Sequence, residues 1–473
     1  MDLTVISREP RVFDGPDLPA DPAVLAELGA RVADADLAAP PVVLPDFHHK
    51  SNMELPSSVA VATVDTIRPT LTSASVNCGM ALIALDCDRP DRTGVEEFYR
   101  RVRERYPYPT RNRGELSAAE VRQAAVDGAS FAARRWGVDG DELERIEEFG
   151  RLDLDAYGGA DRLLKELPSL AFQLARLRFG TVGPSNHFVE LQEVEEILDP
   201  EACRLLGVRE GQLTLQYHAG GGVLTGEIGA LFGRRRHYPR QLRMAMAVQK
   251  PLYHLASARS VAELRRRMAL YFRDGCPPVA RDSVEGRRLM LANAAAMNYG
   301  FAFRVATYAA LKSIARDVFG GGAGRLVVDS PHNSIYEEEV GSEYAVVHRH
   351  NSCRAYPKER MTPGTVFAET GQAVLLPGLC YTSSYLAVAG PAAADSLHSA
   401  CHGAGTVIAD LKRKGLSGPH PDGHTTLRFR YSDAAPAEVA HLDDLGVNAA
   451  LDVLAGNGLV RPVARLRPFA VLN

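Results

Sequence analysis

Residues 396–410 read SLHSACHGAGTVIAD and place a histidine, His402, directly before a run of small residues. Gly403, Ala404 and Gly405 carry little or no side chain, so a ligand can approach their backbone closely. A histidine beside such a run could act chemically on that ligand. It could also be an ordinary buried polar residue near a turn, and the rest of the sequence has to distinguish these two interpretations.

The composition predicts a globular protein without a bulk preference for nucleic acid. The chain has 473 residues, of which 46% are hydrophobic and 24% are charged, and its formal net charge is -4. This charge excludes a bulk attraction to polyanions but not a local basic patch. Seven scattered cysteines do not suggest a disulfide framework, and no long apolar run or secretory pattern is visible. We therefore expect a cytoplasmic protein with no membrane partner.

The spacing of apolar residues predicts strands and helices in separate blocks. Runs such as VAVATVDTI and MALIAL are rich in Val, Ile and Leu, as buried strands are. Residues 95–179 have helical spacing that Pro168 should interrupt, and residues 285–319 predict a long helix that ends at the stretch GGGAG. Such blocks favour an α+β fold over a doubly wound sheet. No domain boundary is evident, so we expect a single large domain over residues 1–473.

One cysteine and four histidines recur where an apolar, strand-like run meets a glycine, proline or asparagine. Taken singly, each is more often structural, because a lone buried cysteine is usually inert and a lone histidine is usually held by hydrogen bonds. Their repetition at strand ends favours a metal site. One thiolate and three imidazoles would suit zinc or another divalent transition metal, and a bridging thiolate could hold two metals for phosphoryl chemistry. The residues are Cys78, His187, His218, His332 and His402, the first four as candidate ligands.

The same positions belong to a longer series of motifs that runs through nearly the whole chain. In order, these are PDFHHKSNMELPSSVAVATVDTIRPT, SASVNCGMAL, FGTVGPSNHFVELQ, QYHAGGGVLTGEIG, SPHNSI, VVHRHNSCRAYP, LLPGLCYTSSYLAVAG, SACHGAGTVI and ARLRPFAVLN. Their order and content resemble the RtcB family of 3′-phosphate/5′-hydroxyl RNA ligases, which act in tRNA splicing and RNA repair. The resemblance implies the fold of that family, an α+β domain with a mixed or antiparallel β-sheet core surrounded by helices.

The resemblance also implies a reaction in which His402 is the nucleophile. In the family this histidine attacks the α-phosphorus of GTP and becomes a guanylyl-histidine, and the GMP then passes to an RNA 3′-phosphate, which can derive from a 2′,3′-cyclic phosphate. The 5′-hydroxyl of a second RNA end attacks the activated phosphate and expels GMP. The implied substrates are GTP and RNA ends, such as tRNA halves or damaged RNA. A small activating protein, archease, is a further partner that the resemblance suggests.

Site residues follow from the resemblance position by position. The family prefers manganese, which replaces zinc in our expectation, and its ligands here would be Cys78 (bridging), His187, His218 and His332. Glu190 would accept hydrogen bonds from the N1–H and N2–H₂ groups of guanine, although it could instead be a solvated residue on a strand. The residues expected to contact the nucleotide are Asn186, Glu190, Asn333, Pro377, Gly378, Leu379, Cys380, Ser384, Gly403, Ala404 and Gly405.

The chain departs from the family at several charged positions. Ser75 stands where the family has a metal-binding aspartate, and a neutral hydroxyl is a weaker ligand for a hard cation, so the occupancy of a second manganese site stays open. The family has arginine at two further positions, Gly222 and Thr406, and lysine at two others, His350 and Asn473; bidentate recognition of phosphate is lost with the two guanidinium groups.

Three functions stay open on this basis. The leading one is an RNA ligase of the family type. The second is a divergent paralogue that transfers another nucleotide or uses another acceptor, and the third is a non-catalytic relative that binds RNA or metal. A basic run after the His218 motif could track an RNA backbone, or it could be a solvated helix end. Its residues are Arg234, Arg235, Arg236, Arg240 and Arg243.

Overall fold

The structure is a computed structural model that describes most of the chain. The described residues are 6–51, 53–73, 75–109, 115–180, 182–183, 187–233, 240–272, 277–322 and 324–473. The strands are β1 (Arg11–Val12), β2 (Val42–Val43), β3 (Val59–Thr63), β4 (Thr66–Ile67), β5 (Gly79–Ala84), β6 (Phe188–Ile197), β7 (Leu213–Ala219), β8 (Val279–Ala280), β9 (Arg325–Pro331), β10 (Asn333–Val340), β11 (Glu343–His350), β12 (Ser352–Arg354), β13 (Ala373–Leu376), β14 (Ser384–Ala389), β15 (Ser399–Cys401), β16 (Thr425–Phe429), β17 (Ala437–Ala440) and β18 (Val460–Leu472).

The helices separate these strands into blocks, as the apolar spacing predicts. They are α1 (Pro22–Val32), α2 (Arg92–Arg105), α3 (Ala118–Asp127), α4 (Ala129–Trp136), α5 (Ala160–Glu166), α6 (Ser169–Ala175), α7 (Pro200–Leu206), α8 (Gly222–Phe232), α9 (Arg240–His254), α10 (Val261–Tyr271), α11 (Val284–Phe319), α12 (Val366–Thr370), α13 (Gly405–Arg413) and α14 (Leu445–Gly456). None of the helices in the described ranges combines the length and the apolar character that a membrane span needs.

The largest sheet has the strand order β13-β14-β18-β6-β7-β5-β9. In addition, β16 pairs with the C-terminal end of β18, and β17 pairs with β16. Its neighbours are antiparallel throughout that order, and only the β16–β18 pair is parallel. Side chains of β5 alternate between two apolar layers: Ala81 and Ile83 pack with the long helices, whereas Met80 and Leu82 pack on the opposite face. A strand buried on both faces explains why MALIAL is apolar without interruption.

A second sheet has the order β1-β2-β3-β11-β10, and β12 and β15 form a separate two-stranded sheet. In the chain, β12 follows β11 after one residue, Asn351. The apolar side chains of the second sheet pack with those of α13 and α14. Mixed and antiparallel sheets with helices packed around them confirm the expected α+β class, and the prediction that residues 1–473 form one domain stays a prediction.

Helix α11 is the long helix that the sequence predicts at residues 285–319. The Ser283 hydroxyl accepts a hydrogen bond from the Gly286 N–H at 2.9 Å and begins the helix, and Gly320, at φ 69°, ends it. The middle of the helix is buried on every side, which is typical of a helix inside a large core. The expected break at Pro168 is also present, between the end of α5 and the start of α6.

Candidate active site

The antiparallel order β6-β7-β5-β9 brings distant parts of the sequence to one edge of the large sheet. In an antiparallel sheet, the start of each strand lies beside the end of its neighbour, and here we call such a row of strand ends an edge. Cys78 directly precedes β5, His187 directly precedes β6, His218 is the second-last residue of β7, and His332 directly follows β9. All four candidate ligands therefore lie at the same edge.

The strand register fixes how closely these residues approach each other. Phe188 of β6 and Met80 of β5 both stand opposite His218 of β7. The His332 N–H donates a 2.9 Å hydrogen bond to the Cys78 carbonyl oxygen. Main-chain pairing thus holds the four positions before any side-chain contact is considered.

The side chains complete this convergence. The Sγ atom of Cys78 lies 3.3 Å from Nε2 of His218 and 3.7 Å from Nε2 of His187. The ring centroids of His218 and His332 are 4.9 Å apart. Ligand atoms of Cys78, His218 and His332 all lie within 4.8 Å of one another, which is a spacing that can hold a metal ion.

The chemistry of these groups fits a divalent transition metal. Burial lowers the pKa of His187 and of His332, which favours the neutral imidazole that a metal requires. Nδ1 of His332 is buried and has no hydrogen-bond partner among the described residues, so its lone pair is available to an ion. Burial also raises the pKa of the Cys78 thiol to about 12, and a coordinated cation is what would convert this thiol to the thiolate.

His402 stands beside this cluster on a separate pair of strands. It follows β15, which pairs with β12, and Asn351 directly precedes β12. The Nδ1–H group of His402 donates to the Asn351 carbonyl oxygen at 3.1 Å, because a carbonyl oxygen can only accept. The lone pair of the ring is therefore on Nε2. The rings of His402 and His332 lie 4.3 Å apart between centroids.

The environment keeps His402 neutral. Burial, reinforced by the positive charge of Lys50, lowers the pKa of His402 to about 3. An imidazole must be neutral to act as a nucleophile or as a ligand. The structure thus places an aligned imidazole with a lowered pKa next to the candidate metal centre, and a chemical role for His402 stays a prediction.

A cavity of about 320 Å³ opens onto this imidazole. Most residues that the sequence predicts for nucleotide contact lie on its wall. The loop between β13 and β14 requires Gly378, because a Cβ atom there would lie 2.2 Å from the Ser383 carbonyl oxygen. Ser384 supports this loop from behind, where its Oγ accepts the Gly378 N–H at 3.1 Å. The predicted lining residues are Glu190, Pro377, Gly378, Leu379, Cys380, His402, Gly403 and Gly405.

The remaining predicted contacts lie elsewhere. Ala404 is buried, and its N–H donates to the Pro377 carbonyl oxygen at 3.2 Å. Asn333 is also buried, and its Oδ1 accepts the Asn351 N–H at 3.0 Å, which places it behind His402 as a support for the Asn351 backbone. Asn186 lies outside the described residues.

Glu190 lies on β6 and faces the cavity. It is not a solvated strand residue, since only 5% of it is exposed. Burial raises the pKa of Glu190 to about 8, and the Gln192 amide donates to Oε1 at 2.7 Å. The raised pKa favours the protonated carboxyl group near neutral pH, and hydrogen bonds donated by a buried polar partner would favour the carboxylate instead.

Sequence reasoning missed several residues of the cavity wall, and the three with titratable side chains all lie in the segment 45–50. Asp46, His48 and Lys50 contribute to the lining. The Asp46 carboxylate accepts the N–H groups of Thr406 and Val407 at 2.8 and 3.2 Å and so caps helix α13. Because these two N–H groups at the start of α13 already donate to Asp46, they are not available to a bound phosphate. The signal in the sequence was the polar run DFHHK directly after the apolar residues 41–45.

The structure shows the surroundings of three positions at which the family has a basic residue and this chain does not. Gly222 has φ 81°, and a Cβ atom there would lie 2.6 Å from the Tyr299 ring, so an arginine does not fit without repacking. His350 is buried, with Nδ1 2.9 Å from the Pro56 carbonyl oxygen. Asn473 lines the cavity, and its Oδ1 accepts from Arg428 at 2.9 Å.

The basic run after the His218 motif is described only in part. Arg240 and Arg243 are exposed on the first turn of α9, whereas Arg234, Arg235 and Arg236 lie outside the described residues. A role of this run in RNA binding stays a prediction.

Comparison with known proteins gives the family. Residues 30–473 match the family described as tRNA-splicing ligase RtcB. A tRNA-splicing ligase RtcB of Pyrococcus abyssi is 28% identical over 421 residues, which cover 84% of this chain and 42% of the relative. One of Thermococcus kodakarensis is 26% identical over 457 residues, with 91% and 86% covered. An RNA-splicing ligase RtcB of Mycobacterium tuberculosis is 27% identical over 372 residues, with 75% and 76% covered.

These relatives differ in length from one another. The chain spans less than half of three Pyrococcus relatives, namely 42% of that of P. abyssi, 39% of that of P. furiosus and 44% of that of P. horikoshii. The match nevertheless extends over almost the whole of this chain, and it includes every motif on which the site is built. The chain belongs to the RtcB family.

Proposed function

We propose that the protein is a metal-dependent RNA ligase that joins an RNA 3′-phosphate to a 5′-hydroxyl end through a guanylyl group on His402. One observation carries this proposal: the His402 imidazole, with its lone pair on Nε2, lines a cavity of about 320 Å³ and lies 4.3 Å, between centroids, from a ring of the candidate metal cluster. The relatives' names, which describe RNA-splicing or tRNA-splicing ligases, support the choice of substrate.

The proposed reaction begins at Nε2 of His402, which attacks the α-phosphorus of GTP. A P–N bond forms, the bond to the β-phosphate oxygen breaks, and diphosphate leaves. The Asn351 carbonyl holds the Nδ1–H proton, so the imidazole keeps the tautomer that presents its lone pair. The guanylyl group then moves to the RNA 3′-phosphate and restores the imidazole. The second RNA end attacks that activated phosphate through its 5′-hydroxyl, and GMP leaves.

Manganese is the metal we propose, with Cys78, His187, His218 and His332 as the residues that hold it. When bound, such an ion would stabilise negative charge that develops on phosphate oxygens. Ser75 lies three residues before Cys78 and offers a hydroxyl rather than a carboxylate, so we propose full occupancy for one ion only.

Glu190 is the residue we propose for base selection. Its buried carboxyl group on the cavity wall suits the adjacent N1–H and N2–H₂ donors of guanine, which adenine does not present in this arrangement. Transfer of another nucleotide, or to another acceptor, is the second candidate. It is favoured by the neutral residues Gly222, Thr406 and Asn473 at positions where the family is basic.

Lys50 is expected to replace part of the lost positive charge. It is the one lysine or arginine on the cavity wall within the described residues, so we expect it to pair with a phosphate of the nucleotide. Lys50→Met should lower the efficiency of His402 labelling by about ten- to a hundredfold, since a hydrogen bond to a charged group contributes about 1.5–3 kcal/mol. Lys414→Met, an exposed lysine paired with Asp410, is the matched control. Equal labelling of both variants would contradict this role.

The proposed function is tested by offering each α-labelled nucleoside triphosphate to the protein with Mn²⁺. We expect acid-labile label from GTP only, and its loss when RNAs with 3′-phosphate and 5′-hydroxyl ends are joined. Label from another nucleotide, or label without joining, would favour the second candidate. A protein that accepts no label with any metal would be a binding relative. Archease is added in a parallel reaction, because we propose it as an activating partner.

A further inference from the structure

A second group of metal-binding side chains lies away from the candidate active site, in the turn before β16. The sequence of residues 420–424 is HPDGH. The Oδ2 atom of Asp422 lies 3.8 Å from Nδ1 of His420 and 3.9 Å from Nε2 of His424. The two imidazole rings are 4.8 Å apart between centroids, and ligand atoms of the three residues all lie within 4.8 Å of one another.

The backbone builds this arrangement independently of any ion. The His420 N–H donates to the His441 carbonyl oxygen at 2.9 Å, and the His441 N–H donates to the His424 carbonyl oxygen at 2.9 Å. Gly423, at φ 63°, closes the turn with an N–H donated to the His420 carbonyl oxygen at 3.1 Å. The turn therefore directs both histidines and the aspartate toward one another, next to His441.

His441 is the second observation that points to a ligand. It is 2% exposed, its Nε2 lies 2.6 Å from the Thr426 hydroxyl, and its ring is 6.0 Å from that of His424 between centroids. Its Nδ1 is buried and has no hydrogen-bond partner among the described residues. A buried polar atom without a partner is uncommon in native proteins, and a nearby cation would satisfy it.

The negative charge of Asp422 is not balanced by a basic side chain of the described residues. Within the described part of the chain, Asp422 has no lysine or arginine within ion-pair distance, and its contacts at that distance are the two imidazoles. The neighbouring carboxylate, Glu195, also lies 3.7 Å from Nε2 of His424, but it is paired with Arg465 and Arg467 at 2.9 and 2.8 Å. Asp422 is thus the acidic group left for an ion.

We propose that His420, Asp422, His424 and His441, which we call the turn cluster, form a zinc site that is separate from the candidate active site. Imidazole nitrogens with one carboxylate oxygen are a donor set that suits zinc. The ligand atoms of His420, Asp422 and His424 already lie within 4.8 Å of one another, and a movement of the His441 ring toward them would supply the fourth donor of a tetrahedral site. Binding displaces one contact, the 3.2 Å hydrogen bond from the Asp422 N–H to Nδ1 of His420.

The position of the turn cluster gives the proposed ion a structural role. The turn leads directly into β16, which pairs with β18 at Leu427–Ala470 and Phe429–Leu472. Arg428 of β16 holds Asn473, which is part of the cavity wall. Zinc would therefore fix the start of a strand whose other end supports the active-site cavity, and it would do so whatever nucleotide that cavity binds.

Cobalt is the probe that tests the turn cluster, because its spectrum separates the two sites. Cobalt bound at Cys78 gives a thiolate-to-metal charge-transfer band, whereas the turn cluster has only nitrogen and oxygen donors. Metal-stripped His420→Ala/His424→Ala should bind one equivalent less cobalt and zinc than the wild-type protein and keep any charge-transfer band. Cys78→Ser should lose that band and keep the equivalent at the turn cluster.

Two further variants protect the test against a folding artefact. Asp422 is largely exposed, so Asp422→Asn should fold normally and weaken zinc binding at this site at least about tenfold, since even indirect partners of a metal contribute that much. His49→Ala removes an exposed histidine outside the turn cluster and should bind as the wild-type protein does. Equal zinc stoichiometry and affinity in the wild-type protein, Asp422→Asn and the double variant would overturn the proposal.

Discussion

His402→Ala is expected to form no covalent nucleotide adduct above background. The alanine side chain has no lone pair to attack phosphorus. Two of the other imidazoles on the cavity wall, those of His187 and His218, are candidate metal ligands. Joining of RNA ends should fall on the order of a thousandfold or more, because removal of a nucleophile leaves only binding and charge stabilisation. Label retained on the protein after incubation with α-labelled GTP, and the rate of ligation, are the two measurements.

The control for this variant is His49→Ala, which removes an imidazole that is 55% exposed and lies outside the cavity wall. Its labelling should equal that of the wild-type protein. Circular dichroism and the unfolding midpoint of His402→Ala should stay close to the wild-type values, because the substitution removes one hydrogen bond to Asn351. Undiminished labelling of a folded His402→Ala would remove the basis of the proposed reaction.

Arg304→Met is expected to lower the free energy of unfolding by about 3–5 kcal/mol, since it breaks a buried ion pair and leaves one partner charged. Arg304 of α11 is fully buried, and its Nε donates to Asp329 at 2.8 Å. Its Nη1 donates to the carbonyl and side-chain oxygens of Asn77, each at 2.5 Å. Asn77 has φ 58° and directly precedes Cys78, so loss of Arg304 should also weaken metal binding.

Urea unfolding measures the first effect, and cobalt titration measures the second. Arg316→Met is the matched control, because Arg316 lies on the same helix with its side chain 59% exposed and should change stability little. A double variant, Arg304→Met with Asp329→Leu, removes both charges and should recover much of the lost stability. A single variant as stable as Arg316→Met would contradict the predicted loss of stability, and unchanged cobalt binding would contradict the role of Arg304 in holding Asn77.

The approach of the candidate ligands to one another could be anticipated from the sequence, because it depends only on where strands end. Each of Cys78, His187, His218 and His332 stands within two residues of a strand end, and antiparallel neighbours bring such positions together without any knowledge of loops. The long helix α11 and the break at Pro168 are predictable for the same reason, because helical spacing and proline act locally.

Other features depend on contacts that no local pattern contains. Asp46 caps α13 across about 360 residues of sequence, and Lys50 reaches the same cavity from the same segment. The turn cluster has a short local signal, HPDGH, but its fourth donor, His441, comes from a different segment. The requirement for glycine at position 222 follows from the Tyr299 ring and not from the neighbouring sequence.

The place of β18 in the large sheet bears on when the protein can fold during synthesis. This strand comes after all the other described strands in the chain, yet in the sheet it lies between β14 and β6. The sequence separation is tens of residues from β14 and hundreds of residues from β6. Those two strands have no partner for their facing edges until the ribosome has released residues 460–472. Such late, long-range pairing slows folding and leaves strand edges open to aggregation. We therefore expect the nascent chain to bind chaperones before the sheet is complete.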